Sequence, residues 1–357
     1  MLKTSLRTRT PTVGVALVAV LACMISVSCT SKEERSWEAA KTENSVAAYE
    51  GFLSQFPETE FAPEAQERVL DLLPVIVFTS EREGGFGVFT MRYDGSQVTR
   101  VSPEDEKASG AMMSPDGKRI AYTSDRDGDG EIYVMNVDGT GVVQLTDNQD
   151  LDSSPAWSPD GRKIAFMSER NKNTDIYVMN ADGTDPVRLT DHPGADIYPA
   201  WSPDGSRIAF TSHREGNQKF FTVSTAVEDF ATSSGLFGLR PLSGDIYVMN
   251  VDGSGMEALV TDPANDAHPV WSPDGQRIIF TSQRNGDEEI YAINVDGSGI
   301  TRLTHQQGFA RRPICYPAHG EIIFTSNQGD AVNVWMVEAD GSNPRQLTED
   351  PANDMVG

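Results

Sequence analysis

Asp152, Asp196 and Asp266 each open an Asp-x-x-Pro motif, and Asp354 stands at the matching place in a segment that resembles the run from Pro263 to Pro269. If these positions converge on one opening, their like charges raise the field there and favour a cation or a basic peptide group. A structural alternative stands beside this. An arginine recurs in Ser-x-Arg at Arg82, Arg126, Arg170, Arg214 and Arg284, so each acid has a partner within reach. His192, His268 and His305 fall in the same inter-strand segments, and imidazoles with carboxylates are a donor set for a transition metal. That set defines the enzymatic alternative, a metal-dependent lyase or hydrolase. Asp125, Asp127 and Asp129 occupy alternate positions in Asp-Arg-Asp-Gly-Asp-Gly, the opening half of a calcium loop. The twelfth position is Asn136 where such a loop needs Glu, so a plain turn is the competing reading. No nucleophile elbow, His-Glu-x-x-His or phosphate-binding glycine loop occurs, and the expectation is a protein without catalytic residues or cofactor.

These residues are carried by a repeat whose clearest copy runs from Pro155 to Thr190. It contains four short runs rich in β-branched and aromatic residues, with Asp160-Gly161 and Asp182-Gly183 at two of the joins, where hairpins need residues that accept positive φ. The unit is a four-stranded antiparallel meander, with strands a to d. Its copies begin strand b at Ile76, Ile120, Ile164, Ile208, Ile278 and Ile322, intervals of 44, 44, 44, 70 and 44. A period near 44 with four strands predicts an all-β fold, a six-bladed β-propeller, whose blades bury their faces against one another. The inner strands are expected at 111–114, 155–158, 199–202, 269–272 and 313–316, with Trp157, Trp201 and Trp271 packing between blades. Blade one has no such strand before it. Its completion by the residues ending at Gly357, by the segment 71–75, or by three strands alone are the open alternatives.

The long interval is an insertion at 218–244 between strands b and c of blade four. It carries Phe220, Phe221, Phe230 and Phe237, an apolar content that fits either a partner surface or a lid over its own channel. The face bearing the d-to-a and b-to-c loops varies among copies, which places the binding function there.

Ahead of the repeats, Lys3, Arg7 and Arg9 precede an uncharged apolar run from Val13 to Ile25. This is the layout of a secretory signal, too short to read as a membrane span. Ser26-Val-Ser-Cys29 resembles a bacterial lipobox, which makes Cys29 the expected lipidation site and the lipid the only membrane attachment. The boundaries follow: signal peptide 1–28, linker 29–36, helical hairpin 37–73, propeller 75–357. The hairpin pattern AYEGFLSQFPETEFAPEAQERV resembles a single tetratricopeptide unit, and one such unit cannot bury both of its faces. The formal net charge of −24 excludes nucleic acid as an expected partner.

The recurring WSPDGxxIAFTS, SxRxG, IYVMNxDG and LT signatures look like the repeats of the TolB-like β-propeller family, from Ile76 onward. That resemblance implies a non-catalytic periplasmic binding module whose propeller receives envelope proteins such as the peptidoglycan-associated lipoprotein. The expectation is an exported scaffold, lipid-anchored at the periplasmic face of the outer membrane or at the cell surface.

Overall fold

The computed structural model describes residues 31–104, 106–214, 244–305, 307–316, 320–329 and 331–357. The signal segment, Cys29 and the four phenylalanines of the insertion lie outside these described residues. The chain divides into two compact units, one ending at Leu73 and one running from Pro74 to Gly357.

The first unit has three helices: α1 (Lys32–Glu43), α2 (Val46–Gln55) and α3 (Ala62–Leu72). Helices α2 and α3 form the expected hairpin. Helix α1 starts inside the stretch expected as a linker, because Ser31 and Glu34 close a capping box that satisfies the first free backbone N–H groups. Its Trp37 enters the core formed by Tyr49, Phe52 and Ala65 and lies 5.6 Å from the Phe61 ring. The hairpin therefore has a third layer on its apolar face, which a two-helix unit would lack.

The second unit consists of six four-stranded antiparallel sheets, the expected six-bladed propeller. Inner strands are Ala108–Met113, Asp152–Trp157, Asp196–Trp201, Asp266–Trp271 and Ala310–Cys315 in blades two to six. Each begins three residues before its expected start, so the Asp of Asp-x-x-Pro belongs to the strand. A bulge makes this compatible with the ladder: Asp152 faces Ser168, Ala156 faces Ala165, and the register shifts between them. The same shift recurs in blades two, four, five and six. At each bulge one residue takes positive φ, namely Gly110, Ser154, Tyr198, His268 and Arg312.

Blade one is completed from the far end of the chain. Asp354–Met355 adds as its inner strand, pairing Ser80 with Asp354 and Thr79 with Met355. Of the three alternatives for closing the ring, the first is the one observed. Asn353 Nδ2 donates to Glu81 Oε2 at 2.7 Å, and the Val356 N–H donates to Thr325 Oγ1 of blade six at 3.1 Å.

Packing between blades follows the expected aromatic scheme. Trp157, Trp201 and Trp271 each donate their indole N–H to the preceding blade's inner strand, at Met112 O, Ala156 O and Ala200 O, over 3.0–3.2 Å. The c-to-d turns dock on backbone as well. A Cβ added to Gly139, whose φ is 82°, would sit 2.3 Å from Val101 O of blade one, so that turn requires glycine twice over. In blade four, Ser212 pairs directly with Asp245, so the insertion leaves and rejoins a single hairpin between strands b and c.

Candidate functional site

The four aspartates are held alike, and not as an open acidic ring. Asp152, Asp196, Asp266 and Asp354 are each fully buried, with 0% exposure. Each accepts from the arginine that ends strand b: Arg170 at 2.5 Å, Arg214 at 3.1 Å, Arg284 at 3.1 Å and Arg82 at 2.7 Å. Those arginine side chains are 15–24% exposed, so the guanidinium edges look outward and the carboxylates lie beneath. The structural alternative of the sequence is thus the one realised. The reason is register: Asp opposite the last Ser of strand b places its carboxylate under the Arg two residues later.

Each guanidinium also covers aromatic rings of its own blade. Arg284 lies 5.5 Å from the Phe280 centroid and 5.0 Å from Tyr291, and Arg170 is 5.7 and 5.4 Å from Phe166 and Tyr177. Burial raises the Asp266 carboxyl above its ordinary range, against the opposing pull of Ser282 and Arg284. In blade two Ala108 takes the Asp position, and Glu106, two residues earlier, supplies the carboxylate to Arg126. Blade six has Ala310 in the Asp position and Gln328 in the Arg position, so acid and base are absent together.

Nor do the metal candidates assemble. Among the described residues no group of three or more His, Cys, Asp or Glu is placed to hold a metal ion. His192 Nδ1 accepts from the Gly194 N–H at 3.0 Å as a local turn cap, and His305 is exposed. His268 is not in a loop: it is the bulge residue of the blade-five inner strand. Asp125, Asp127 and Asp129 belong to a b-to-c hairpin turn in which Asp127 Oδ2 accepts from the Tyr133 hydroxyl at 2.5 Å. That bond takes one oxygen a calcium loop would need.

What the inner strands do gather is a basic and aromatic cluster. Tyr198 of blade four packs against His268 of blade five, ring centroids 4.1 Å apart and planes tilted by 33°. Blade six adds Arg311, whose guanidinium lies 4.3 Å from the Phe309 ring and 3.8 Å from Glu288, and Arg312, which donates to Gly357 O at 2.7 Å. Burial, with the two arginines' charge adding to it, pushes the His268 imidazole well below its ordinary range, so the ring is neutral. Burial, then Arg312, likewise lowers Arg311. Tyr198, Arg311 and Arg312 were not singled out from the sequence. The signal was present: the third position of Asp-x-x-Pro reads Ser154, Tyr198 and His268, and Arg312 before Pro313, while the frame around it stays fixed.

Six sheets with one repeated ion pair and one repeated indole clasp define the scaffold, and a family model described as the TolB beta propeller domain matches residues 113–234 and 240–355. The chain belongs to the TolB β-propeller family. Solved TolB structures are similar in fold. That of Acinetobacter baumannii superposes with a TM-score of 0.65 at 20% identity, covering 82% of this chain and 69% of that one. A TolB-type protein from Agrobacterium tumefaciens gives 0.59 at 22% identity, covering 76% and 89%. An oligogalacturonate lyase in complex with manganese is more distant, at 0.50 and 11% identity, covering 77% and 73%. No curated protein matches the chain.

Proposed function

We propose that this TolB-family propeller is a non-catalytic binding scaffold of the bacterial cell envelope, exported by its N-terminal signal and lipid-anchored through Cys29. Its place is the periplasmic face of the outer membrane or the cell surface. Its partner is an envelope protein, with the peptidoglycan-associated lipoprotein class the first to test. The observation that carries the reading is the fate of the buried acids: all four are consumed in ion pairs that hold the blades, which leaves the varying loop face and channel for recognition.

The test is affinity capture from envelope extract with the chain from Thr30 onward, beside a variant lacking 218–244. An envelope protein retained by the intact chain supports the scaffold, and its loss from the folded variant assigns the contact to the insertion. No retained protein, together with metal bound at fixed stoichiometry and lost in His192→Ala or His268→Ala, would overturn it in favour of a metal-dependent lyase or hydrolase.

A further inference from the structure

We propose that residues 146–151, the loop joining blades two and three, form a pH-sensitive clasp, closed while Glu131 carries a proton and loosened when Glu131 ionises. The loop lies on the varying face, so the clasp sets which form of that face a partner meets. The device belongs to the loop and does not depend on what that partner is.

The blades supply the comparison. Two residues before the aromatic of strand c, blades three and five have an acid that meets a base from strand d: Asp175 pairs with Arg188 at 2.6 Å, and Glu289 with Arg302. Blade six has neither, with Asn333 and Gln346 in the two places. Blade one has Gly87, and its Arg100 turns to the carbonyls of Ser102 and Pro103 at 3.2 and 2.9 Å. In blade four the register of strand d shifts, and Asp245 accepts from the Asp262 N–H at 3.4 Å. Blade two keeps the acid, Glu131, and has Gln144 in the place of the base. Glu131 is nonetheless only 1% exposed. A carboxylate taken out of water without a cation against it is costly, and the protonated form avoids that cost.

The charged groups around Glu131 are acidic. Asp152 faces it from the inner strand of blade three and Asp129 from the b-to-c turn, and both add to the burial that raises its carboxyl from 4.5 to about 7. Arg170 is taken by Asp152 at 2.5 Å. The opposing pull comes from hydrogen bonds, those of Thr146 and of the Asn148 N–H, which donates to Glu131 Oε1 at 2.7 Å. The loop hangs on that same asparagine. Asn148 Nδ2 donates to Asp152 Oδ2 at 2.8 Å and lies 3.5 Å from Glu131 Oε2, while its Oδ1 accepts from the Asp150 N–H at 2.9 Å. One amide thus spans two buried carboxyl groups and fixes the turn that follows. The loop's own charges, Asp147 and Asp150, are both negative, and Asp150 adds to burial in raising Glu169 of blade three. Ionising Glu131 therefore adds one more buried carboxylate to an acidic surround, and opening the loop to water relieves it. With 4.5 for the open loop and about 7 for the closed one, protons favour closure, which weakens about tenfold from pH 6 to pH 8.

The experiment is hydrogen exchange of the chain from Thr30 onward at pH 6 and pH 8 in EDTA. It is read by mass spectrometry on peptides covering 145–152 and corrected for the pH dependence of intrinsic exchange. Protection there is expected to fall about tenfold on going to pH 8, while it holds in the corresponding loop of blade five, behind Glu289 and Arg302. Glu131→Gln copies the neutral amide of blade six, and Gln144→Arg copies the base of blades three and five. Thermal unfolding checks that both variants fold. Each is expected to cut the fall to about twofold or less, the first by removing the titrating group and the second by pairing it while the carboxyl stays in place. Equal protection of the native loop at the two pH values, a fall shared by the blade-five loop, or a tenfold fall that survives in either variant overturns the proposal.

Discussion

Replacing Arg284 by Gln removes the partner of a carboxylate that has 0% exposure and two guanidinium contacts of 3.1 Å. Breaking a buried pair from one side costs about 3–5 kcal/mol, because the remaining charge is neither solvated nor paired. The loss of cation–π contact with Phe280 and Tyr291 adds roughly 0.5–1 kcal/mol. The double variant Asp266→Ala with Arg284→Gln should behave differently, since it copies the Ala310 and Gln328 that blade six carries. It is expected to recover to within about 2 kcal/mol of the native chain, a coupling of at least about 2 kcal/mol between the two sites. The sign of the pH dependence follows from burial. Asp266 is already raised above its ordinary range, and losing Arg284 raises it further. A raised carboxyl favours the folded state when protonated, so the deficit of Arg284→Gln is largest at neutral pH and shrinks as pH falls through the folded value. Urea unfolding at pH 7 and pH 5, with unchanged m-values, measures all of this. An Arg284→Gln chain within about 1 kcal/mol of native at pH 7, or single-variant costs that simply add in the double, would refute the reasoning.

Three further outcomes are expected. Glu131 is buried without the arginine that Asp175 and Glu289 have in Arg188 and Arg302, and burial raises its carboxyl from 4.5 to about 7. Its contribution is therefore full below about pH 4.5 and lost as pH rises to 7, so Glu131→Gln should gain up to roughly 3 kcal/mol on the native chain at pH 8 and little at pH 4, read by urea unfolding. Gly139→Ala must give up a φ of 82° and meet Val101 O at 2.3 Å, and should cost at least about 2 kcal/mol in the same assay. Trp201→Phe keeps an aromatic ring but deletes the indole bond to Ala156 O and part of the packed volume, so thermal unfolding should show a loss of at least about 1 kcal/mol.

The propeller was legible because its period, its Asp-Gly joins and its aromatic positions are local and repeated. The tryptophans read correctly for the same reason: blades three, four and five place Trp157, Trp201 and Trp271 at the same step of the inner strand. The aspartates were ambiguous because a free carboxylate and a paired one look alike until the register across the a–b hairpin is known. Blade six offered the clue, losing Asp and Arg together. Helix α1 was missed since its N-cap, Ser31, sits beside the expected lipid-bearing cysteine, and polar residues there read as linker. Closure could be stated only as alternatives, since the strand that completes blade one is two residues long and carries the Pro-Ala-Asn-Asp lead-in without the Pro and Trp that follow Asp266.

That short strand makes the order of folding unlike the order of synthesis. Arg82 and Asp354 are 272 residues apart in sequence, and their pairing draws the two ends of the ring together. Blades two to six can each form from a contiguous stretch of chain. Blade one cannot: its b, c and d strands must wait, with the edge at Thr79 and Ser80 unpaired, until almost everything else has emerged. The entropy of so long a loop grows only slowly with its length, so the cost at equilibrium is modest and the delay is kinetic. Until the inner strand arrives, that open edge is the place where a half-made ring can accept a strand from another molecule.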